Sequence, residues 1–118
     1  MAARAIQRGV RQSARKMRLV IDTIRGQDVN QAYALLKFSK KRAAKRIEKV
    51  LRSAVSNAEQ DAQRENAGFD VDRLYVAYAV VNEGQTLKRF TSAALGRATP
   101  IHKRTSSIEI RVAAREEK

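Results

Sequence analysis

The apolar residues of this chain change their spacing once. Up to Ala62 they recur every three or four positions, and from Leu74 onward they recur every two. The first period lines one face of a helix and the second lines one face of a strand, so the chain reads as helices followed by a sheet, the α+β class. Ser13 is placed to cap a first helix with Met17, Val20, Ile21 and Ile24 at i, i+3, i+4 and i+7, ending at Gly26. Asp28 followed by Gln31 makes a variant capping box for a short second helix with the buried stripe Val29, Ala32, Tyr33 and Leu36. Ser39 is the candidate cap of the third and longest helix. Its core face reads Ala43, Ile47, Val50, Leu51, Ala54, Val55, Ala58 and Ala62, with Lys41, Lys45, Glu48, Lys49 and Arg52 opposite.

Beyond a polar joint at residues 66–72, Leu74, Val76, Tyr78 and Val80 alternate with Tyr75, Ala77, Ala79 and Val81, a β-branched and aromatic run expected to be a well-buried strand. Tyr75 and Tyr78 then fall on opposite faces, and core packing is the better reading for both over base stacking. Ser106, Ile108, Ile110 and Val112 alternate with Ser107, Glu109, Arg111 and Ala113 as a half-exposed antiparallel partner. Residues 4–10 form a further short strand or an arm. Between the two clear strands, Gly84 to Arg104 has no helical period and is longer than an ordinary connection. It fits a protruding hairpin with Gly96 at its turn and arms reaching on the order of 30 Å, at about 3.3 Å per residue.

No acidic residue occurs between Glu83 and Glu109, a stretch that carries Lys88, Arg89, Arg97, His102, Lys103 and Arg104. The whole chain holds 25 Lys and Arg against 12 Asp and Glu, a net +13 that disfavours a lone compact monomer and suits a polyanion-bound one. The excess is uneven: +12 over residues 1–52, −3 over 53–73 and +4 over 74–118. Helices one and three both open with cations, Arg15, Lys16 and Arg18 in one and Lys40, Lys41 and Arg42 in the other. Each such charge opposes the helix dipole by roughly 0.3–1 kcal/mol, a cost that turns favourable when a phosphate sits at the helix start. The plainer reading is that these side chains bend away into water.

The same residues argue against other functions. The chain has no cysteine, which removes disulfides and zinc-thiolate sites and fits a reducing compartment. His102 has no second histidine or cysteine beside it, and Glu59, Asp61 and Glu65 read as a solvated helix end rather than a metal cluster. No nucleophile with a paired acid and base, and no Gly-rich cofactor loop, supports an enzyme; no catalytic residue, metal or cofactor is expected. Apolar residues never run long enough for a membrane span, and the start lacks the apolar core of a secretory signal. Residues 1–19, Arg-rich and free of acids, share the composition of an organelle transit peptide.

Several short runs resemble one family in order and spacing. They are Ser13-Ala14-Arg15-Lys16, Arg18-Leu19-Val20, Asp22, Ile24-Arg25-Gly26, Val50-Leu51, Ser53-Ala54 and Asn57-Ala58-Glu59. In the second half they are Glu83-Gly84, Leu87-Lys88-Arg89, Gly96-Arg97-Ala98 and Lys103-Arg104-Thr105-Ser106. From about Arg4 to Val112 the chain is similar to the universal large-subunit ribosomal protein twenty-two family, and because the match begins so early the transit-peptide reading loses ground. The resemblance implies three helices packed on a small antiparallel sheet, with a long protruding β-hairpin extending into large-subunit ribosomal RNA. It also implies a body near the exit of the nascent-peptide tunnel and a hairpin tip in the tunnel wall. The chain departs from the bacterial pattern at Thr91-Ser92-Ala93, where Arg-Pro-Arg is common, and at Ser107, where histidine is common. Arg97 is therefore the only cation between Phe90 and Ile101, and the tip carries less charge than is usual.

A single domain over residues 1–118 is expected, with a body at 1–83 and 105–113, an arm at 84–104 and a tail at 114–118. The RNA-binding residues implied are Arg4, Arg8 and Arg11 in and just after the first element; Ser13, Arg15, Lys16, Arg18 and Arg25 around helix one; and Lys40, Lys41 and Arg42 at helix three. In the arm they are Lys88, Arg89, Arg97, His102, Lys103 and Arg104, with Thr105 just after it. The tunnel-lining tip is Ala93, Ala94, Leu95, Gly96, Arg97 and Ala98, whose small side chains offer a passing peptide little to adhere to. The partners implied are large-subunit ribosomal RNA, neighbouring ribosomal proteins and the nascent polypeptide, in the cytoplasm, with no membrane and no homo-oligomer. The rival reading is an architectural DNA-binding protein with a basic β-arm, Arg97 and Pro100 acting near its tip as a minor-groove wedge.

Overall fold

The computed structural model of the protein describes residues 2–66, 68–92, 96 and 98–114. Its elements run β1 (Ala2–Val10), α1 (Ala14–Ile21), α2 (Val29–Phe38), α3 (Arg42–Arg64), a 3-10 turn (Val71–Arg73), β2 (Leu74–Glu83), β3 (Leu87–Ser92), β4 (Ala98–Lys103) and β5 (Ser106–Ala114). An antiparallel sheet has the order β1-β5-β2, and β3 pairs with β4 in a separate two-stranded ladder. α3 packs on β1 and β5, α1 on β2, and α2 on α3. This is the α+β fold expected, three helices on a small antiparallel sheet with a hairpin beside it.

Helix boundaries follow local chemistry. Ser13 sits in extended conformation at the N-cap of α1, and its Oγ accepts a hydrogen bond from the Lys16 N–H at 3.4 Å. Regular helix stops at Ile21, earlier than the periodicity suggests, and turns carry the chain to Gly26 while Ile24 stays fully enclosed. Two caps differ from expectation. Asp28 holds the N-cap position of α2, but its side chain makes no capping bond. Ser39 closes α2 instead of opening α3: its Oγ accepts from the Lys41 N–H at 3.3 Å, a local serine turn that places Lys41 at the N-cap of α3.

The interior gathers Met17, Ile21, Ile24, Ile47, Leu51, Ile108 and Ile110, all fully buried. Each such side chain contributes roughly 1.5–3 kcal/mol on leaving water. The inward face of β5 includes Ser106, whose hydroxyl donates to Met17 Sδ at 3.0 Å inside the core. β2 departs from simple alternation. Leu74 and Val76 face the core, but the register slips between Val76, paired with Val112, and Tyr78, paired with Arg111. Ala77 is the extra residue of a β-bulge, and every side chain after it changes face. Ala79 and Val81 are consequently buried, whereas Tyr78 is 41% exposed. The tyrosines therefore share the outer face, contrary to the alternation. Tyr75 is half-buried, and Tyr78 lies under the Arg111 guanidinium, 4.6 Å from the ring centroid.

Unpaired backbone groups at a sheet edge invite strand addition. On β2 the connection between α1 and α2 covers them. The Gly26 N–H donates to Val76 O at 3.0 Å and the Val76 N–H donates to Gln27 O at 2.9 Å. Further along, Arg25 Nε donates to Ala79 O at 2.7 Å and Arg18 Nε to Val81 O at 3.1 Å.

The β3–β4 ladder runs from Leu87↔Lys103 to Ser92↔Ala98, and Gly96, between the strands, has φ +72°, a conformation glycine adopts at no steric cost. Pro100 is tolerated opposite Phe90 because each strand of a two-stranded ladder is an edge. Phe90 is 70% exposed, as expected for a ladder without a core of its own. The molecule measures 67 × 28 × 19 Å with a radius of gyration of 17.9 Å, against about 13–14 Å for a compact domain of this length. At the arm's root the Gly84 N–H donates to Thr105 O at 2.8 Å, and Thr105 Oγ1 donates to Gln85 O. A Cβ on Gly84 would stand 2.8 Å from Thr105 Oγ1, so any larger residue there forces the root of the arm to shift.

Candidate nucleic-acid interface

Basic residues far apart in the chain converge where the arm leaves the body. A groove of about 620 Å³ is lined by Arg11, Ser13, Lys16, Arg42, Arg46, His102, Lys103 and Arg104. Arg11 follows β1, Ser13 and Lys16 open α1, Arg42 and Arg46 stand in the first two turns of α3, His102 and Lys103 end β4, and Arg104 follows it. No lining residue is acidic. Like charges 4 Å apart repel by about 1 kcal/mol in water and by more near a protein surface, so this cluster favours an incoming anion.

Backbone chemistry adds to the side chains. Neither α1 nor α3 has an acidic residue in its first turn, and Lys41 gives α3 no side-chain cap. The positive end of each helix and the open N–H groups of α3 are thus left for an external acceptor, the arrangement that phosphate groups use. Arginine supplies a planar fork that grips two phosphate oxygens, and lysine a mobile point charge.

A second recess of about 420 Å³ shares Ser13, His102 and Arg104 with the groove and adds Arg15 and Thr105, with Glu83 as its carboxylate. Arg8 lines a third beside Arg11 and Thr105. Lys88 stands opposite His102 in the ladder, and Lys88, Arg89, Lys103 and Arg104 are all exposed. Among the described residues none of these four cations pairs with a carboxylate; Arg89 Nη1 donates to the Lys88 carbonyl at 2.9 Å.

Other candidates lie elsewhere. Arg4 is at the far end of the sheet, 3.7 Å from Glu109. Arg18 and Arg25 are engaged with the β2 carbonyls, and Arg25 also pairs with Asp22 at 2.9 Å. Lys40 and Lys41 are exposed ahead of α3 but do not line the groove. Of the tip, Ala93, Ala94, Leu95 and Arg97 lie outside the described residues, while Gly96 is at the turn and Ala98 opens β4. Arg46 is the groove residue that sequence reading passed over. Its position four residues after Arg42, on the same face of α3, was the available signal.

Among the described residues no group of three or more His, Cys, Asp or Glu converges as a metal site, and no helix is long and apolar enough to cross a membrane. The arrangement presents positive charge along an open surface.

Comparison with known proteins gives the family. The chain is 50% identical over 115 residues to the large ribosomal subunit protein uL22 of Clostridium novyi, covering 98% of this chain and 99% of that one. It is 52% identical over 114 residues to the protein of the same name from Ligilactobacillus salivarius, covering 97% and 95%. With that of Lacticaseibacillus casei it shares 50% over 115 residues, covering 98% and 94%. The profile of the ribosomal protein L22p/L17e family extends over residues 5–113, from β1 into β5, and the chain belongs to that family.

Proposed function

We propose that this protein is a structural constituent of the large ribosomal subunit, without enzymatic activity, in the cytoplasm. It binds large-subunit ribosomal RNA through the groove and the arm, supports assembly of that RNA, and contacts neighbouring ribosomal proteins. The body at 1–83 and 105–113 is the docking unit, the arm at 84–104 enters the RNA, and the tip at residues 93–98 lines the nascent-peptide tunnel. The observation that carries this reading is the groove at the arm's root, where cations from four separate elements meet with no carboxylate among them. Folded RNA hides its bases in a deep major groove, so phosphates and shape are what such a surface reads. The relatives' name, large ribosomal subunit protein, points the same way.

Sedimentation of a lysate in moderate salt tests this. The protein is expected with the large subunit; exclusive recovery with the nucleoid would overturn the reading in favour of DNA. Deleting residues 88–104 should leave body binding to large-subunit RNA measurable and reduce the slope of log K against log salt by roughly 0.7–0.9 for each phosphate the arm had neutralised. An unchanged slope would put the arm off RNA.

A further inference from the structure

Arg46 is half-buried on α3 and lines the basic groove, yet its Nη1 is enclosed and has no hydrogen-bond partner. Buried guanidinium nitrogens without an acceptor are rare, because a cation taken from water needs compensation. Across the described residues only one other side-chain atom is in this condition, Gln12 Oε1, in the segment between groove residues Arg11 and Ser13. None of the side chains lining the groove is a carboxylate that could take the Arg46 proton. A charged acceptor for Arg46 is therefore not supplied by the groove's own side chains.

We propose that Arg46 is the anchoring residue of a site for closely spaced backbone phosphates, as at a sharp turn of an RNA strand, and that the free protein holds it in a strained, unpaired state which the ligand relieves. The proposal rests on the RNA-binding reading above and adds which residue the groove depends on and what it recognises. Cations from both helix starts and from the arm's root surround Arg46, so phosphates that would repel each other in a bent backbone are screened together there. To reach an oxygen, the guanidinium swings out from its enclosed position and exchanges an unmet donor for a charge-assisted hydrogen bond. Binding and the stability of the free protein are thereby opposed at this position. An ordinary surface arginine would show no such opposition.

The test uses the full chain as wild type, Arg46→Met, Arg46→Lys and, as a control on exposed α3 surface, Lys49→Met. Thermal melts of the free proteins come first. Arg46→Met, which keeps the apolar stem and removes the orphan donor, should raise Tm by several degrees. Affinity for transcribed large-subunit RNA across a salt series comes second. Arg46→Met should weaken it about tenfold and lower the salt slope by about one, and Arg46→Lys should recover part of the loss. Lys49→Met should change Tm little and affinity less than Arg46→Met. A lower Tm in Arg46→Met with wild-type RNA affinity would overturn the proposal, because Arg46 would then be structural. Inorganic pyrophosphate separates the two claims. It should raise the Tm of wild type more than that of Arg46→Met. Should wild type bind no RNA but keep this difference, the RNA reading fails and the phosphate site stands. An equal rise in both proteins sinks the site itself.

Discussion

Replacing Gly84 with alanine should loosen the root of the arm. The new methyl would lie 2.8 Å from Thr105 Oγ1 and 3.3 Å from the Thr105 carbonyl carbon and oxygen. The hydroxyl can rotate away only by giving up its hydrogen bond to Gln85 O, about 1 kcal/mol, and the two backbone neighbours yield only if the strands part. Overpacking of this kind costs about 1–3 kcal/mol, and a loss near 2 kcal/mol lowers Tm by roughly 8 °C in a domain of this size. Thermal and urea unfolding of Gly84→Ala, Thr105→Ala and the double variant measure it. Because Thr105→Ala removes the hydroxyl but not the carbonyl, Gly84→Ala should cost about 1 kcal/mol less in that background, leaving a residual penalty. Equal costs in both backgrounds, or a Gly84→Ala protein melting within about 2 °C of wild type, would refute the reasoning. Amide shifts in nitrogen–proton spectra should concentrate at residues 84–87 and 103–106.

Three other outcomes follow from the packing. Met17→Ala, at a fully buried position where Ser106 also loses its sulfur acceptor, should cost about 2–5 kcal/mol by urea unfolding, and a loss below 1 kcal/mol would mean that the core repacks. Arg18→Ala with Arg25→Ala uncovers two β2 carbonyls; light scattering should show concentration-dependent association in the double variant, and a strictly monodisperse sample would leave the edge-covering role unsupported. Burial raises the Tyr33 pKa above its ordinary value of 10.0, with Arg52 lowering it and Glu48 raising it. Its contribution to stability is therefore full below pH 10 and lost as pH climbs through the raised value. Tyr33→Phe should flatten that alkaline loss, and a curve that falls as steeply as in wild type would contradict the shift.

The elements governed by one period over many residues were legible in the sequence. α3 shows its apolar stripe over most of its 23 residues, and Ser106 to Val112 alternates without a break, so both faces were readable. The arm was legible from charge, since nothing acidic interrupts it. What escaped were single-residue decisions made by tertiary packing. Ala77 carries no glycine or proline to mark a bulge, and the partner strand alone fixes where β2 slips, which moved Tyr78 out of the core. Ser39 has two helices within reach and ended the first. Arg18 and Arg25 look like the other cations until α1 is laid against β2, where backbone carbonyls claim them. The groove unites residues 11–16, 42–46 and 102–104, so its members could be suspected singly but their meeting is a product of the fold.

The strand order β1-β5-β2 has a consequence for synthesis. The middle of the sheet is the last strand to be made, and the two outer strands have no ladder with each other. A nascent chain that has reached Thr105 owns both flanks and all three helices but lacks the strand that ladders with both flanks, so the sheet stays open at its centre until Ser106 to Ala114 slide between. Pairing Ala2 with Ala113 spans almost the entire polypeptide, the kind of distant closure that slows folding. Completion of the body is in this way tied to the emergence of Ser106 to Ala114, and a chain halted at Thr105 should be an aggregation-prone intermediate.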